Sequence, residues 1–165
     1  MGPLRTLLNR EARALARARR IEDRGRALYE RGAEARAAGQ FLRALAVLEQ
    51  TSSGVSSHRV EYAATFASIG AALYHLGRRG ESERSVAAAL ALDPANPDAL
   101  MYRGLVLAEL GKTDEALSSF DRALGADPSR ADAWGNKGDV LFGAGRYEEA
   151  TNAWLTVLRL NPREV

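Results

Sequence analysis

Pro97 to Arg130 reads PDALMYRGLVLAELGKTDEALSSFDRALGADPSR, and the stretches on either side are variations on it. Ala131 to Glu164 reads ADAWGNKGDVLFGAGRYEEATNAWLTVLRLNPRE, and Ala63 to Asn96 reads AATFASIGAALYHLGRRGESERSVAAALALDPAN. Self-similarity at a period of about 34 residues marks a helix-turn-helix repeat architecture. Each copy has one grammar. A first helix closes at a glycine (Gly77, Gly111 or Gly145), and a second runs to Asp93-Pro94, Asp127-Pro128 or Asn161-Pro162. Asn96 before Pro97 predicts an N-cap, and Ser129 with Asp132 resembles a capping box.

Upstream, Gly25 to His58 reads as a degenerate first repeat, with Arg59 to Tyr62 as a four-residue insertion against the period. The small polar run Thr51 to Ser57 reads as a loop, with Ser56 or Ser57 capping the next helix. Residues 1–24 predict a separate basic amphipathic N-terminal helix beginning at Pro3. Leu4, Leu8, Leu15, Ala18 and Ile21 lie on one face of it, amid Arg5, Arg10, Arg13, Arg17, Arg20 and Arg24. That helix is expected to cap the first repeat. The alternative is an arginine-rich surface for nucleic acid or anionic lipid, but the helix has no aromatic residue for base stacking.

In this register Gly32, Gly70, Gly104 and Gly138 share a position inside the first helices, where glycine costs about 1 kcal/mol relative to alanine. The cost implies a packing reason, met by Ala44, Ser82, Ala116 and Ala150 twelve residues on and by Ala89, Ala123 and Val157 further along. Three series of larger residues complete the expected core: Leu28, Phe66, Leu100 and Trp134; Leu48, Val86, Phe120 and Trp154; and Ala35, Leu73, Leu107 and Leu141. No single helix pair can bury its apolar face alone, so stacking of pairs makes the core.

Composition narrows the function. The 165 residues hold no cysteine, which removes disulfides, thiolate ligands and thiol nucleophiles. The net charge of +2 hides an uneven distribution: residues 1–62 sum to +5 and residues 63–165 to −3. No apolar run reaches the ~18 residues of a membrane span, and the N-terminus lacks the apolar core of a secretory signal. A cytoplasmic location is therefore expected. Gly2 and Thr6 match a myristoylation pattern too short to carry weight. Gly111-Lys112-Thr113 looks like the tail of a phosphate-binding loop but has neither a glycine at the required spacing nor a preceding strand, so it reads as the inter-helix turn. Gly143-Ala144-Gly145 fails as a dinucleotide signature for the same reasons. His58 and His75 are not spaced as metal ligands, and no nucleophile-base pair is visible. No catalysis, cofactor or metal is expected.

The recurring positions resemble those of the tetratricopeptide repeat: Leu100, Gly104, Leu107, Ala116, Phe120, Ala123 and Pro128 in one copy, then Trp134, Gly138, Leu141, Ala150, Trp154 and Pro162 in the next. Departures include Arg31, Arg103 and Lys137 before the first-helix glycine, Ser82 for the usual alanine, and a first repeat without its proline. The resemblance implies an all-α, right-handed superhelical solenoid of four repeats over 25–165 (25–58, 63–96, 97–130 and 131–164). It also implies a scaffold or adaptor that binds a peptide or helix of another protein in a groove lined by first helices. The groove residues expected by analogy are Tyr29, Arg36, Tyr74, His75, Met101, Tyr102, Leu105, Glu109, Asn136, Asp139 and Phe142. The family's chaperone-binding subtype uses a Lys-Asn, Asn, Lys-Arg set where this sequence has Tyr29 and Ala33, Ser68, then Asp98 and Tyr102, or one repeat later Ala67 and Ala71, Tyr102, then Asp132 and Asn136. Neither frame has the cations, so carboxylate-clamp binding is not expected. A further alternative is self-assembly through an apolar face of Trp154, Val157, Leu158 and Leu160.

Overall fold

The computed structural model describes residues 3–52 and 58–162. The expected caps Ser56 and Ser57, like Gly2, lie outside the described residues. Among the described residues eight helices follow one another: α1 (Pro3–Glu30), α2 (Glu34–Ser52), α3 (Arg59–His75), α4 (Arg79–Leu92), α5 (Pro97–Glu109), α6 (Thr113–Ala126), α7 (Ala131–Gly143) and α8 (Tyr147–Leu160). The described residues contain no strand. They pair as α1/α2, α3/α4, α5/α6 and α7/α8. The chain divides into two compact units, Met1–Pro94 and Ala95–Val165.

One turn closes the first helix of every pair. Gly32, Gly77, Gly111 and Gly145 have φ of 70°, 71°, 73° and 76°, the left-handed conformation that an L side chain resists. The residue after each glycine donates its amide five residues back, to the carbonyl of Leu28, Leu73, Leu107 or Leu141, at 2.8–2.9 Å. These bonds satisfy helix-end carbonyls that would otherwise be orphaned. The Gly111-Lys112-Thr113 sequence is this turn.

That shared geometry corrects the register expected for the first pair. Gly32 is a turn glycine, and the close-packing glycine of the pair is Gly25. A Cβ at Gly25 would come within 3.0 Å of the Phe41 ring; at Gly32 it would meet nothing. Gly25 thus aligns with Gly70, Gly104 and Gly138. Phe41, rather than Leu48, aligns with Val86, Phe120 and Trp154. Leu28 joins Leu73, Leu107 and Leu141, displacing Ala35, which is exposed on α2. Gly25 and Gly70 lie 45 residues apart, whereas Gly70, Gly104 and Gly138 are spaced by 34, so the insertion is larger than four residues. Much of it is helical: α2 has 19 residues against 14 in α4, and α3 has 17 against 13 in α5.

The same correction removes the boundary at residue 24. Residues 1–24 are not a separate cap, because α1 continues through Glu30 as the first helix of the first pair and packs on α2 and α3. In unit 1, Leu15, Ala18, Ala37, Phe41, Ala44 and Leu45 are buried with Tyr62, Phe66, Ile69 and Leu73. The Tyr62 hydroxyl reaches the Glu11 carbonyl of α1 at 3.1 Å. Between α3 and α4, Ser82 and Ser85 donate hydroxyl protons to the carbonyls of Gly70 and Phe66, each at 2.8 Å. A buried serine is accommodated because its hydroxyl has this acceptor.

In unit 2, Leu117, Leu141, Ala150 and Ala153 form a buried cluster flanked by Trp134, Val140 and Trp154. Asn96 caps α5 as expected, its Oδ1 accepting the Ala99 amide at 3.0 Å. The capping box expected at α7 does not form. Ser129 turns instead to Asp127, and Arg130 is the N-cap without a side-chain bond to the helix-end amides. Asp132 Oδ1 accepts the amide of Ala133, next to it in the chain.

Candidate functional site

Two faces made by first helices collect the polar and aromatic side chains that packing does not consume, one in each unit. In unit 2 the face lies where α5 meets α7. Asp98, Tyr102 and Leu105 recur along α5 at intervals of four and three residues, and so share one side of it. Arg130 bridges the helices. Its guanidinium donates to Asp98 and, at 2.7 and 3.1 Å, to both oxygens of Asp132, while Nη2 stands 3.6 Å from Met101 Sδ. The carboxylates raise the Arg130 pKa above its already high ordinary value, and Arg130 holds Asp132 below the usual aspartate range. Burial, followed by the charges of Asp132 and Asp98, pushes the Tyr102 phenol above its ordinary value. Sequence reasoning missed Arg130, which precedes its helix and has no counterpart in the family pattern.

The expected groove residues of this unit do not all behave alike. Met101 is only 4% exposed and supports Arg130 from below. Tyr102, Leu105 and Asn136 are half-buried, and Glu109 is exposed. Asp139 accepts the Trp154 indole N–H at 3.1 Å. Phe142 is exposed, with its ring 5.2 Å from that of Tyr147 and 5.7 Å from that of Trp154. Asp139 and Phe142 therefore lean on α8. Tyr102 and Leu105 stand with the Arg130 bridge.

In unit 1 the corresponding face lies between α1 and α3. Glu22 is buried, ion-paired with Arg26 and accepting the Ser68 hydroxyl at 2.5 Å. Arg19 Nε lies 3.4 Å from the Thr65 hydroxyl. Glu22 escaped sequence reasoning because the misplaced register assigned this face of the first pair to residues further along; Ser68 figures there only as a carboxylate-clamp position. Tyr29 is exposed in the last turn of α1. Arg36 falls in α2, the second helix of its pair, and so does not share a helix with Tyr29. Tyr74 and His75 end α3 with their rings edge to face, 5.7 Å apart. The Arg79 guanidinium sits 3.9 Å over the Tyr74 ring.

The apolar face expected on α8 is partly consumed. Trp154 and Val157 are half-buried, while Leu158 and Leu160 are exposed; Leu155, which was not anticipated, is exposed with them. Among the described residues no group of His, Asp or Glu is placed to hold a metal ion, and no helix is long and apolar enough to cross a membrane.

These features define an all-α protein of repeated antiparallel helix pairs. Residues 68–131 and 104–164 match the family model described as Tetratricopeptide repeat, which together covers more than half of the sequence. The chain belongs to the tetratricopeptide repeat family. Among curated proteins no sequence matches it. Among solved structures, MamA superposes with a TM-score of 0.66 at 17% identity, covering 89% of this chain and 80% of that one. YrrB, described as a tetratricopeptide protein with an unusual peptide-binding site, gives 0.65 at 23% identity over 98% and 83%. The first repeat domain of Spaghetti (RPAP3), bound to the HSP90 peptide SRMEEVD, gives 0.58 at 24% identity over 67% and 85%. At these identities the likeness is one of fold.

Proposed function

We propose that this chain is a protein-interaction scaffold whose first-helix faces bind a segment of another protein. The observation that carries the reading is the Arg130 bridge. A guanidinium fixed between Asp98 and Asp132 presents charged groups of settled geometry beside half-buried Tyr102 and Leu105. Groups held in place before binding lose less entropy when a partner arrives. Glu109 and Asn136 extend this face, Asp139 and Phe142 border it, and Tyr29, Tyr74 and His75 are the aromatic contributors of unit 1. Of the solved structures of the same fold, YrrB is described with a peptide-binding site and the Spaghetti domain is bound to a peptide, which supports the reading. No catalytic role is proposed.

The test is quantitative affinity capture with wild-type protein and a Tyr102→Ala/Leu105→Asp variant of verified thermal stability. A partner retained by the wild type and lost by the variant is expected. Identical capture by both proteins would remove unit 2's face from consideration.

A second reading, self-association, rests on Leu155, Leu158 and Leu160, all exposed on α8. Light scattering over a concentration series tests it: growth in mass that Leu155→Lys/Leu158→Lys abolishes is expected, and a constant monomer mass would exclude it.

A further inference from the structure

The side of α1 that does not carry Arg19, Glu22 and Arg26 forms a second groove with α2. The groove has a volume of about 480 Å³, and its lining comes from α1 and α2 alone. Arg17, Arg20, Arg24 and Arg43 stand exposed around half-buried Ile21 and Val47. Neither the core nor the first-helix faces account for four guanidiniums around an apolar floor.

Unit 2 shows what such an edge accommodates. The matched turns at Gly32 and Gly145 and the matched contacts Gly25–Phe41 and Gly138–Trp154 make α1/α2 and α7/α8 equivalent pairs. Arg24 thereby takes the repeat position of Lys137, Ile21 that of Trp134, Leu28 that of Leu141 and Arg17 that of Arg130. In unit 2 α6 packs on the α7 side of this edge, with Lys137 Nζ donating to Asp121 at 2.5 Å and Leu117 buried in one cluster with Leu141, while the groove between α7 and α8 stays open along Trp134, Ala153, Thr156 and Arg159. Arg130 reaches Asp98 of the same neighbouring pair. The first helix of the edge therefore receives a helix that meets it at apolar Leu117 and acidic Asp121 and carries buried Leu124 beyond them, at i, i+4 and i+7.

We propose that the α1/α2 edge docks an acidic amphipathic helix of a partner protein, presenting Leu, Asp or Glu, and Leu at the spacing of Leu117, Asp121 and Leu124. Charge selects this occupant. Where α7 has a single Lys facing Asp121, α1/α2 presents Arg17, Arg20, Arg24 and Arg43, and residues 1–62 sum to +5. A second copy is a poorer match, because its α8 has Thr151 and Leu155 at the positions of Leu117 and Asp121 and brings no acid to Arg24. Nucleic acid makes no use of an apolar floor between the arginines, and the groove has no aromatic side chain on which a base could stack.

The probe is a helix-locked synthetic peptide of α6, Thr113–Ala126, titrated calorimetrically into the full chain. Saturable binding is expected, weakened about tenfold or more by Arg24→Glu/Arg43→Glu, because reversing charge at an interface turns attraction into repulsion. Both arginines are exposed, so the melting temperature should not move. A peptide with Asp121→Lys should bind poorly to wild type and regain affinity for Arg24→Glu, and one with Leu117→Ala/Leu124→Ala should lose binding. Tyr102→Ala should bind the peptide like wild type, which separates this edge from the first-helix faces. Absence of saturation, or binding indifferent to the charge reversal, would overturn the proposal. So would duplex DNA or phosphatidylserine vesicles binding more tightly than the peptide through the same arginines. Self-association lost in Arg24→Glu/Arg43→Glu would assign the edge to a second copy instead.

Discussion

The Phe120 ring lies against Gly104 so closely that a Cβ on residue 104 would stand 2.6 Å from Cε1 and 2.8 Å from Cζ. Both residues are buried in unit 2, so the ring has little room to retreat. Alanine would gain up to about 1 kcal/mol of helix propensity, but overpacking a core costs about 1–3 kcal/mol. Gly104→Ala should therefore lower stability in urea unfolding. Adding Phe120→Leu, which removes the ring edge, should restore part of the loss; a stabilised Gly104→Ala would contradict the contact.

How much of this was legible in the sequence depended on the residue. The last three pairs could be read because Gly70, Gly104 and Gly138 recur at one spacing, and Gly77, Gly111 and Gly145 at the same spacing. The first pair was misread for a physical reason. Gly25, Gly32 and Gly39 are seven apart, close to two helical turns, so a slip of seven leaves glycine on glycine and the apolar face almost unmoved. Only backbone conformation separates them. Arg130 was invisible because its partners, Asp98 and Asp132, lie on two different helices. Ser82 looked like a lapse from alanine, and the acceptor that justifies it, the Gly70 carbonyl, is not encoded in any pattern of side chains.

Those three glycines supply a test of the corrected register, since one substitution should have three outcomes. Gly32→Ala should cost about 1 kcal/mol or more, because its φ of 70° is left-handed. Gly25→Ala should also destabilise, by pressing on the Phe41 ring 3.0 Å away. Gly39 lies inside α2 with open space around its missing Cβ, so Gly39→Ala should stabilise by up to about 1 kcal/mol. Thermal melts of the three variants check the set. Destabilisation by Gly39→Ala would overturn the register.

Acid should weaken unit 2 through Asp132. Arg130 depresses its pKa in the folded chain, so folding favours the ionised form. The resulting stability is fully present above the ordinary aspartate value of about 3.9 and is lost as pH falls through the lower folded value. Asp132→Asn removes that titration. It should therefore be less stable than wild type near neutrality, and the gap should narrow as pH falls below about 4. Thermal melts from neutral to strongly acidic pH test this. A gap independent of pH would mean that the Arg130 bond contributes nothing to linkage.

Tyr74 should matter more for recognition than for folding. Its ring is half-buried at the end of α3, and Arg79 covers one face at 3.9 Å. An exposed cation–π contact contributes about 0.5–1 kcal/mol, so Arg79→Gln should lower stability only slightly while uncovering the ring. Tyr74→Phe keeps a face for the guanidinium and should melt close to wild type, whereas Tyr74→Leu should lose that contact as Arg79→Gln does. If the double variant Tyr74→Leu/Arg79→Gln costs no more than either change alone, the two side chains act as one unit. If partner capture falls in Tyr74→Leu and not in Tyr74→Phe, the ring face is what the partner meets; equal capture by both would leave Tyr74 a helix-end packing residue.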